Sequence, residues 1–132
     1  DILNYLESTA PNNMEHSFKG EVSNQTVYEH YKTENIDLFI NVSDSEGIPV
    51  SIMEAQANGV FVAAPDVGGI KEIVTDQSGY LFNPEVKFDE FEKVLNMVKE
   101  GKTLDPEHIK SFWARHYDAE KNYSEFCKLL ST

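Results

Sequence analysis

The sequence predicts an α/β fold in which a doubly wound parallel sheet is followed by extra C-terminal helices. Up to residue 82, short apolar segments alternate with helical patterns about every 20 residues, which is typical of strands joined by right-handed helical crossovers. From Phe88 onwards the pattern is helical only. With 132 residues, of which 40% are apolar, the chain can form one hydrophobic core, and we expect a single domain over residues 1–132.

Four strands are predicted, near residues 17–22, 36–42, 60–64 and 79–82. The second strand is apolar enough to be buried on both faces, as strands of parallel sheets are. Gly59 is placed to end the helix before the third strand, and Pro65 to end that strand.

Helical periodicity accounts for most of the remaining chain. A first helix is indicated by Ile2, Leu3 and Leu6, and Ser23 offers an N-cap for a second helix before the 36–42 strand. C-terminal helices are predicted over residues 88–130, with breaks at Gly101 and before Ala119.

The segment from Ser45 to Ala55 predicts a phosphate site. Pro49 suits the first turn of a helix, so the amides of Val50, Ser51 and Ile52 should be free at a positive helix terminus, which binds phosphate.

Two carboxylates flank this helix start. Glu46 lies in the loop before it, and Glu54 lies about five residues inside, roughly 7.5 Å along the axis. One ligand could therefore touch both. Ligands of parallel α/β sheets bind where the loops after the strands converge, and the loops at 20–24, 43–49 and 65–69 meet that condition.

Together these residues resemble a known family. The pattern Glu46-x7-Glu54, followed by Gly68-Gly69 and then Glu72-Ile73-Val74, is similar to the donor half of retaining glycosyltransferases of family 4, also called group 1. The resemblance implies the Rossmann-like C-terminal half of a GT-B fold. In that fold two domains face each other across a cleft, and neither a metal nor another cofactor is needed.

The resemblance also implies roles for individual residues. Glu46 would be the catalytic residue, accepting hydrogen bonds from hydroxyls of the transferred sugar, and Glu54 would bind the ribose through its two oxygens. The sugar and phosphate would be bound by Gly47, Ile48, Pro49, Val50 and Ser51. The base would lie against Gly20 and Val22, and the acceptor side of the cleft would be lined by Gly68 and Gly69.

The implied reaction moves a hexose or similar sugar from a nucleoside diphosphate to a glycan or lipid-linked acceptor, with retention, in polysaccharide biosynthesis. The family's Arg and Lys that neutralise the diphosphate, and its N-terminal acceptor domain, correspond to sequence before Asp1. We therefore expect this chain to act as part of a longer, cytoplasmic protein that associates peripherally with a membrane, and to be inactive alone.

Composition argues against several other functions. The net charge is −12, from 11 basic and 23 acidic residues, which disfavours nucleic acid as a partner. Cys127 is the one cysteine, so no disulfide can form within the chain, and the four histidines lack the spacing of a metal site.

Three alternatives remain open. The first is a module that binds nucleotide-sugar, or assembles with a partner, without catalysis. The second is a glycosidase using Glu46 and Glu54, which would need their carboxyl groups about 5–9 Å apart across a sugar ring. The third is a flavodoxin-like receiver, suggested by Asp37 and Asp44 near strand ends.

Overall fold

The computed structural model describes residues 2–130 and has an α/β architecture. The elements in chain order are α1 (Ile2–Thr9), α2 (Asn24–Thr33), β1 (Phe39–Ile40), α3 (Val50–Ala57), β2 (Val62–Pro65), α4 (Ile70–Ile73), β3 (Gly79–Phe82), α5 (Phe88–Lys99), α6 (Pro106–Tyr117) and α7 (Ala119–Leu130). Among these described residues, no helix combines the length and the apolar character that a membrane span requires.

The sheet is parallel and follows the chain, in the order β1-β2-β3. Phe39 pairs with Val62 at one side of β2, and Val62 pairs with Gly79 at the other. Every residue of the central strand β2 is buried, because it has a neighbouring strand on both sides and helices above and below.

Alternate residues of β2 point into two separate cores. Val62 and Ala64 belong to a cluster with Ile52 of α3 and Ile70 of α4. Ala63 packs on the opposite face in a second cluster, which Phe82 and, from α5, Val94 complete. Helices therefore cover both faces of a parallel sheet, and the predicted fold class is confirmed.

No strand forms at residues 17–22, so the prediction of a strand there is wrong. These residues are exposed, and their backbone makes none of the ladder hydrogen bonds that define a strand. Weak alternation from His16 to Val22 predicts a strand, but alternation supports one only where a neighbouring strand can pair with it. The segment predicted at 36–42 is likewise a strand only at Phe39–Ile40.

The helix α6 packs against α3 and α4. At one end, a side chain at Gly59 would lie 2.7 Å from the carbonyl oxygen of Pro106. At the other end, the hydroxyl of Tyr117 donates a 2.6 Å hydrogen bond to the carbonyl oxygen of Glu72. These two contacts hold α6 against the helices that follow β1 and β2, next to the loops expected to form the site.

Candidate functional site

The loop between β1 and α3 and the first turn of α3 together carry the residues of the predicted phosphate site. Asn41 turns the chain after β1, since its side-chain oxygen accepts a 2.8 Å hydrogen bond from the Ser43 amide. Pro49 is the N-cap of α3, with φ −71° and ψ 121°, and makes no side-chain capping bond. It therefore precedes the helix, one position earlier than the first-turn placement that the sequence predicted.

The start of α3 leaves two amides free. The Ile52 amide donates a 3.2 Å hydrogen bond to the carbonyl oxygen of Pro49, so only two of the three amides expected to be free remain so. Within residues 2–130, the N–H groups of Val50 and Ser51 have no acceptor. Both residues are exposed, and the positive end of the helix dipole lies there. This helix start can accept an anion.

The glycine pair packs directly against the loop before α3. The Gly69 amide donates a 3.0 Å hydrogen bond to the carbonyl oxygen of Gly47. Gly68 has φ +56°, and a side chain there would overlap the carbonyl oxygen of Glu46. A side chain on Gly69 would lie 2.8 Å from the Gly47 oxygen and 2.9 Å from a carbon of Ile48. Five predicted site residues are thus brought together, and only glycine allows this approach.

Glu46 presents a carboxylate without a protein partner. Its side chain is half-buried, and in the part of the chain that the structure describes it makes neither a hydrogen bond nor an ion pair. Its backbone is fixed by the contact with Gly68. The loop therefore holds the residue in place while leaving the carboxylate able to accept hydrogen bonds.

Glu54 lies on α3 and lines a cavity of about 150 Å³ between α2 and α3. The other residues of its wall are Val27, Tyr28, Tyr31, Ala57 and Asn58. Burial raises the pKa of the Tyr31 hydroxyl, and the negative charge of Glu54 raises that pKa further. Glu54 and Tyr31 thus line the same cavity, and the charge of one affects the titration of the other.

A larger cavity of about 400 Å³ lies beneath α2 and is mostly apolar. Its wall consists of Lys19, Val22, Thr26, Val27, His30, Tyr31, Ile36 and Phe39. Val22, which the family resemblance places near the base, reaches this cavity. Gly20 does not, and with φ +63° it lies beside a bend at Glu21, where a side chain at Gly20 would have nothing within 4 Å.

Tyr31 is the residue that sequence reasoning missed, because it borders both cavities. The periodicity of α2 marks it only as an apolar-face residue. Its chemistry was the signal that could have found it, since a tyrosine on the apolar face of a helix brings a hydroxyl that needs a hydrogen-bond partner or water.

The cations near the site are few. Residues 45–55 contain no Lys or Arg. Lys71, near the glycine pair, lies 3.9 Å from the Asp66 carboxylate, and both side chains are exposed. Among residues 2–130, no three His, Cys, Asp or Glu side chains are grouped so that they could hold a metal ion.

The arrangement can bind an anion flanked by hydroxyl groups. Two free amides at a helix terminus suit a phosphate, and carboxylates before and after them accept hydrogen bonds from vicinal hydroxyls. No hydrogen bond among the described residues joins Glu46 to Glu54. The backbone of Glu46 lies against the glycine pair, whereas Glu54 lines a cavity together with residues of α2. Each carboxylate can therefore serve a different part of a ligand.

This chain is similar to curated proteins that are named as glycosyltransferases and to one whose name states no activity. It is 38% identical over 68 residues, 52% of its length, to the O-antigen biosynthesis glycosyltransferase WbnH of Escherichia coli, and covers 19% of that protein. It is 31% identical over 103 residues, 70% of its length, to a subunit of the phosphatidylinositol N-acetylglucosaminyltransferase of Homo sapiens, of which it covers 21%. It is 34% identical over 83 residues, 61% of its length, to Protein CapJ of Staphylococcus aureus, covering 20%.

The chain thus spans about a fifth of the length of these relatives. Its residues 3–111 match the family described as Glycosyl transferases group 1, a range that includes the sheet, the glycine pair, both glutamates and the first half of α6. This chain belongs to the group 1 glycosyltransferases.

Proposed function

We propose that this chain is the donor-binding part of a retaining glycosyltransferase that moves a sugar from a nucleoside diphosphate to a glycan or lipid-linked acceptor. The observation that carries the proposal is the start of α3, where the amides of Val50 and Ser51 are free and lie in sequence between two carboxylates without hydrogen-bond partners among the described residues. A nucleoside diphosphate sugar offers the matching groups: phosphate for the amides and hydroxyls for the carboxylates.

In this proposal the diphosphate lies at the first turn of α3. The amides of Val50 and Ser51 donate to phosphate oxygens, and the exposed Ser51 hydroxyl can add a further hydrogen bond. The helix dipole stabilises the negative charge that grows on the diphosphate as the sugar leaves it. Catalysis is then mainly a matter of electrostatic stabilisation and correct positioning.

The two glutamates hold opposite ends of the donor. Glu46 accepts hydrogen bonds from the transferred sugar, and its loop is fixed by Gly68 and Gly69, so the sugar is held in one orientation. Glu54 accepts hydrogen bonds from the 2′ and 3′ hydroxyls of the ribose, because its carboxylate has two oxygens, one for each hydroxyl. The base extends toward Gly20 and Val22.

In this proposal, the acceptor site and the cations of the reaction come from residues other than these 132. A second domain supplies the acceptor site across the cleft, and an Arg and a Lys neutralise the diphosphate, since residues 45–55 supply no cation. The transfer proceeds without a metal or other cofactor. The names of the relatives support polysaccharide or lipid-linked glycan assembly as the setting, which we place at the cytoplasmic side of a membrane.

Calorimetric titration of the full-length protein with uridine, guanosine and adenosine diphosphates tests this proposal. One of them should bind, and Glu54→Gln should weaken it about tenfold to a hundredfold, the effect of losing hydrogen bonds to a charged group. Glu92→Gln on the exposed side of α5 is the matched control and should bind as the wild type does.

Transfer is tested separately with the sugar nucleotide of the base that binds. With a chelator present, the full-length protein should form a glycoside whose anomeric configuration, read by proton NMR, is that of the donor. Glu46→Gln should reduce this transfer more than it reduces binding. Binding without any transfer would favour the non-catalytic module, and no binding of any of the three diphosphates overturns the proposal.

A further inference from the structure

We propose that Tyr31 is a positioning residue for Glu54, and that its hydroxyl holds the Glu54 carboxylate in the orientation that receives the ribose hydroxyls. The inference rests on the proposed function, because it concerns the same ligand. It adds a residue of α2, outside the Glu46-x7-Glu54 and glycine-pair pattern, to the machinery that recognises ribose.

The geometry of the smaller cavity supports this role. Tyr31 of α2 and Glu54 of α3 both line this cavity, and Ala57 and Asn58 extend its wall one turn toward the C-terminal end of α3. The cavity therefore lies behind Glu54 as seen from the free amides at the start of the helix. At about 150 Å³ it is smaller than the roughly 300–1,000 Å³ of sites that enclose whole ligands. It gives the two side chains room to move.

Tyr31 carries the donor best placed to act on this carboxylate. The Asn58 side-chain nitrogen already donates a 2.8 Å hydrogen bond to the backbone oxygen of Glu54. Tyr28, in the same wall, is 49% exposed, and the Lys32 ammonium lies 4.2 Å from the centre of its ring. Tyr31 is half-buried, and within residues 2–130 its hydroxyl has no hydrogen-bond partner.

The electrostatics agree with this geometry. Burial raises the pKa of Tyr31, and the charge of Glu54 raises it further, so the hydroxyl stays protonated at neutral pH and remains a donor. A hydroxyl donating to a carboxylate forms a charge-assisted hydrogen bond, which is stronger than a neutral one. Rotation of either side chain within the cavity makes this bond and leaves the other lone pairs of the carboxylate for the 2′ and 3′ hydroxyls.

The test compares each nucleoside diphosphate with its 2′-deoxy form by calorimetry in the full-length protein. The probes are uridine, guanosine and adenosine diphosphates and their deoxy counterparts, and the measured quantity is the ratio of the two dissociation constants. The wild type should favour the ribose form by about tenfold or more, the size expected for a lost hydrogen bond to a charged group. Y31F should reduce that ratio to below about threefold, while Y28F, from the same wall, should keep the wild-type ratio.

Glu54→Gln separates this inference from the proposed function. If the wild type does not distinguish ribose from deoxyribose, or if Glu54→Gln leaves the ratio unchanged, both are wrong. If Glu54→Gln removes the discrimination and Y31F keeps it, only the role of Tyr31 is overturned. If Tyr31 has a purely structural role, Y31F should weaken the binding of both nucleotide forms equally and keep the wild-type ratio. That result also overturns the role proposed for Tyr31.

A second measurement keeps the tyrosine hydroxyl in place. With 3-fluorotyrosine incorporated at position 31, the fluorine resonance should shift on binding of the ribose form and shift less with the deoxy form. The same label in the Glu54→Gln protein should lose that difference. Equal shifts with both nucleotides in the otherwise wild-type protein contradict the inference.

Discussion

The amide of Gly69 donates a 3.0 Å hydrogen bond to the carbonyl oxygen of Gly47, joining the loop after β2 to the loop after β1. Gly68 lies beside this bond, with its backbone against the carbonyl of Glu46. The glycine pair therefore supports the loop that carries the proposed catalytic carboxylate. A substitution in the glycine pair should therefore displace the loop that carries Glu46.

Gly68→Ala should destabilise the protein more than Gly101→Ala. Both glycines have positive φ, +56° and +63°, so each alanine costs about 1–2 kcal/mol for a left-handed backbone. At Gly101 a new methyl group meets nothing within 4 Å, whereas at Gly68 it overlaps the Glu46 carbonyl oxygen. Urea unfolding measures the difference. Equal losses at the two positions would mean that the contact with Glu46 has no energetic effect.

Gln56→Met should be tolerated, with a change in the free energy of unfolding below about 1 kcal/mol. Gln56 is fully buried; its nitrogen donates a 2.7 Å hydrogen bond to the Ile73 carbonyl oxygen, but its own oxygen has no partner among the described residues. Methionine removes that unpaired oxygen, and the Ser78 hydroxyl still donates to the Ile73 carbonyl at 3.1 Å. Urea unfolding of the variant and the wild type measures the change.

Gln56→Glu is the informative comparison at the same position. A charged carboxylate there would be buried with no cation to pair with, so we expect a loss of several kcal/mol in urea unfolding at neutral pH. If the glutamate variant were as stable as the methionine variant, the position would be open to solvent, in conflict with its complete burial.

Tyr117→Phe should cost about 0.5–1.5 kcal/mol near neutral pH, because it removes the hydrogen bond to the Glu72 carbonyl. Burial raises the pKa of Tyr117, and the charge of Glu72 raises it further above 10.0. The stabilisation is therefore complete below about pH 10 and is lost as the pH rises through the folded-state pKa.

The pH dependence of that variant tests the direction of the pKa shift. Above about pH 10 the unfolded tyrosine ionises first, so the stability advantage of the wild type over Tyr117→Phe should shrink as pH increases. Guanidinium unfolding of both proteins from neutral to alkaline pH measures it. An advantage that grows with pH would contradict the raised pKa.

Asp105→Ala should cost about 0.5–2 kcal/mol of stability. The Asp105 carboxylate caps α6 by accepting hydrogen bonds from the amides of Glu107 at 2.9 Å and His108 at 3.1 Å. Asp105→Asn keeps an accepting oxygen and should recover most of the loss in thermal unfolding. An asparagine variant no more stable than the alanine variant would show that the cap hydrogen bonds do not matter.

The sequence could predict the parallel sheet because buried strands such as Val62–Pro65 are apolar whatever packs around them. It could not predict that residues 17–22 stay out of the sheet, because pairing depends on a neighbouring strand and alternation does not reveal one. The sequence predicts one site for Glu46, Gly68 and Gly69 from the family resemblance and from the expectation that loops after parallel strands converge. The contact that joins them became visible only in three dimensions.

Tyr31 was missed for a related reason. Its importance comes from facing α3 across a cavity, and helical periodicity records which side of α2 it occupies but not what lies opposite. The first turn of α3 shows the same limit on a smaller scale, since the sequence placed Pro49 inside a helix that begins one residue later.

The most direct test of the account follows the backbone amides of the full-length protein by nitrogen-15 NMR during titration with the nucleoside diphosphate that binds most tightly. The amides of Val50 and Ser51, which have no acceptor within residues 2–130, should shift strongly and gain protection from hydrogen exchange. The amides of Glu107 and His108, already capped by Asp105, should stay unchanged. Saturable binding that leaves Val50 and Ser51 unaffected would contradict the claim that the start of α3 holds the diphosphate.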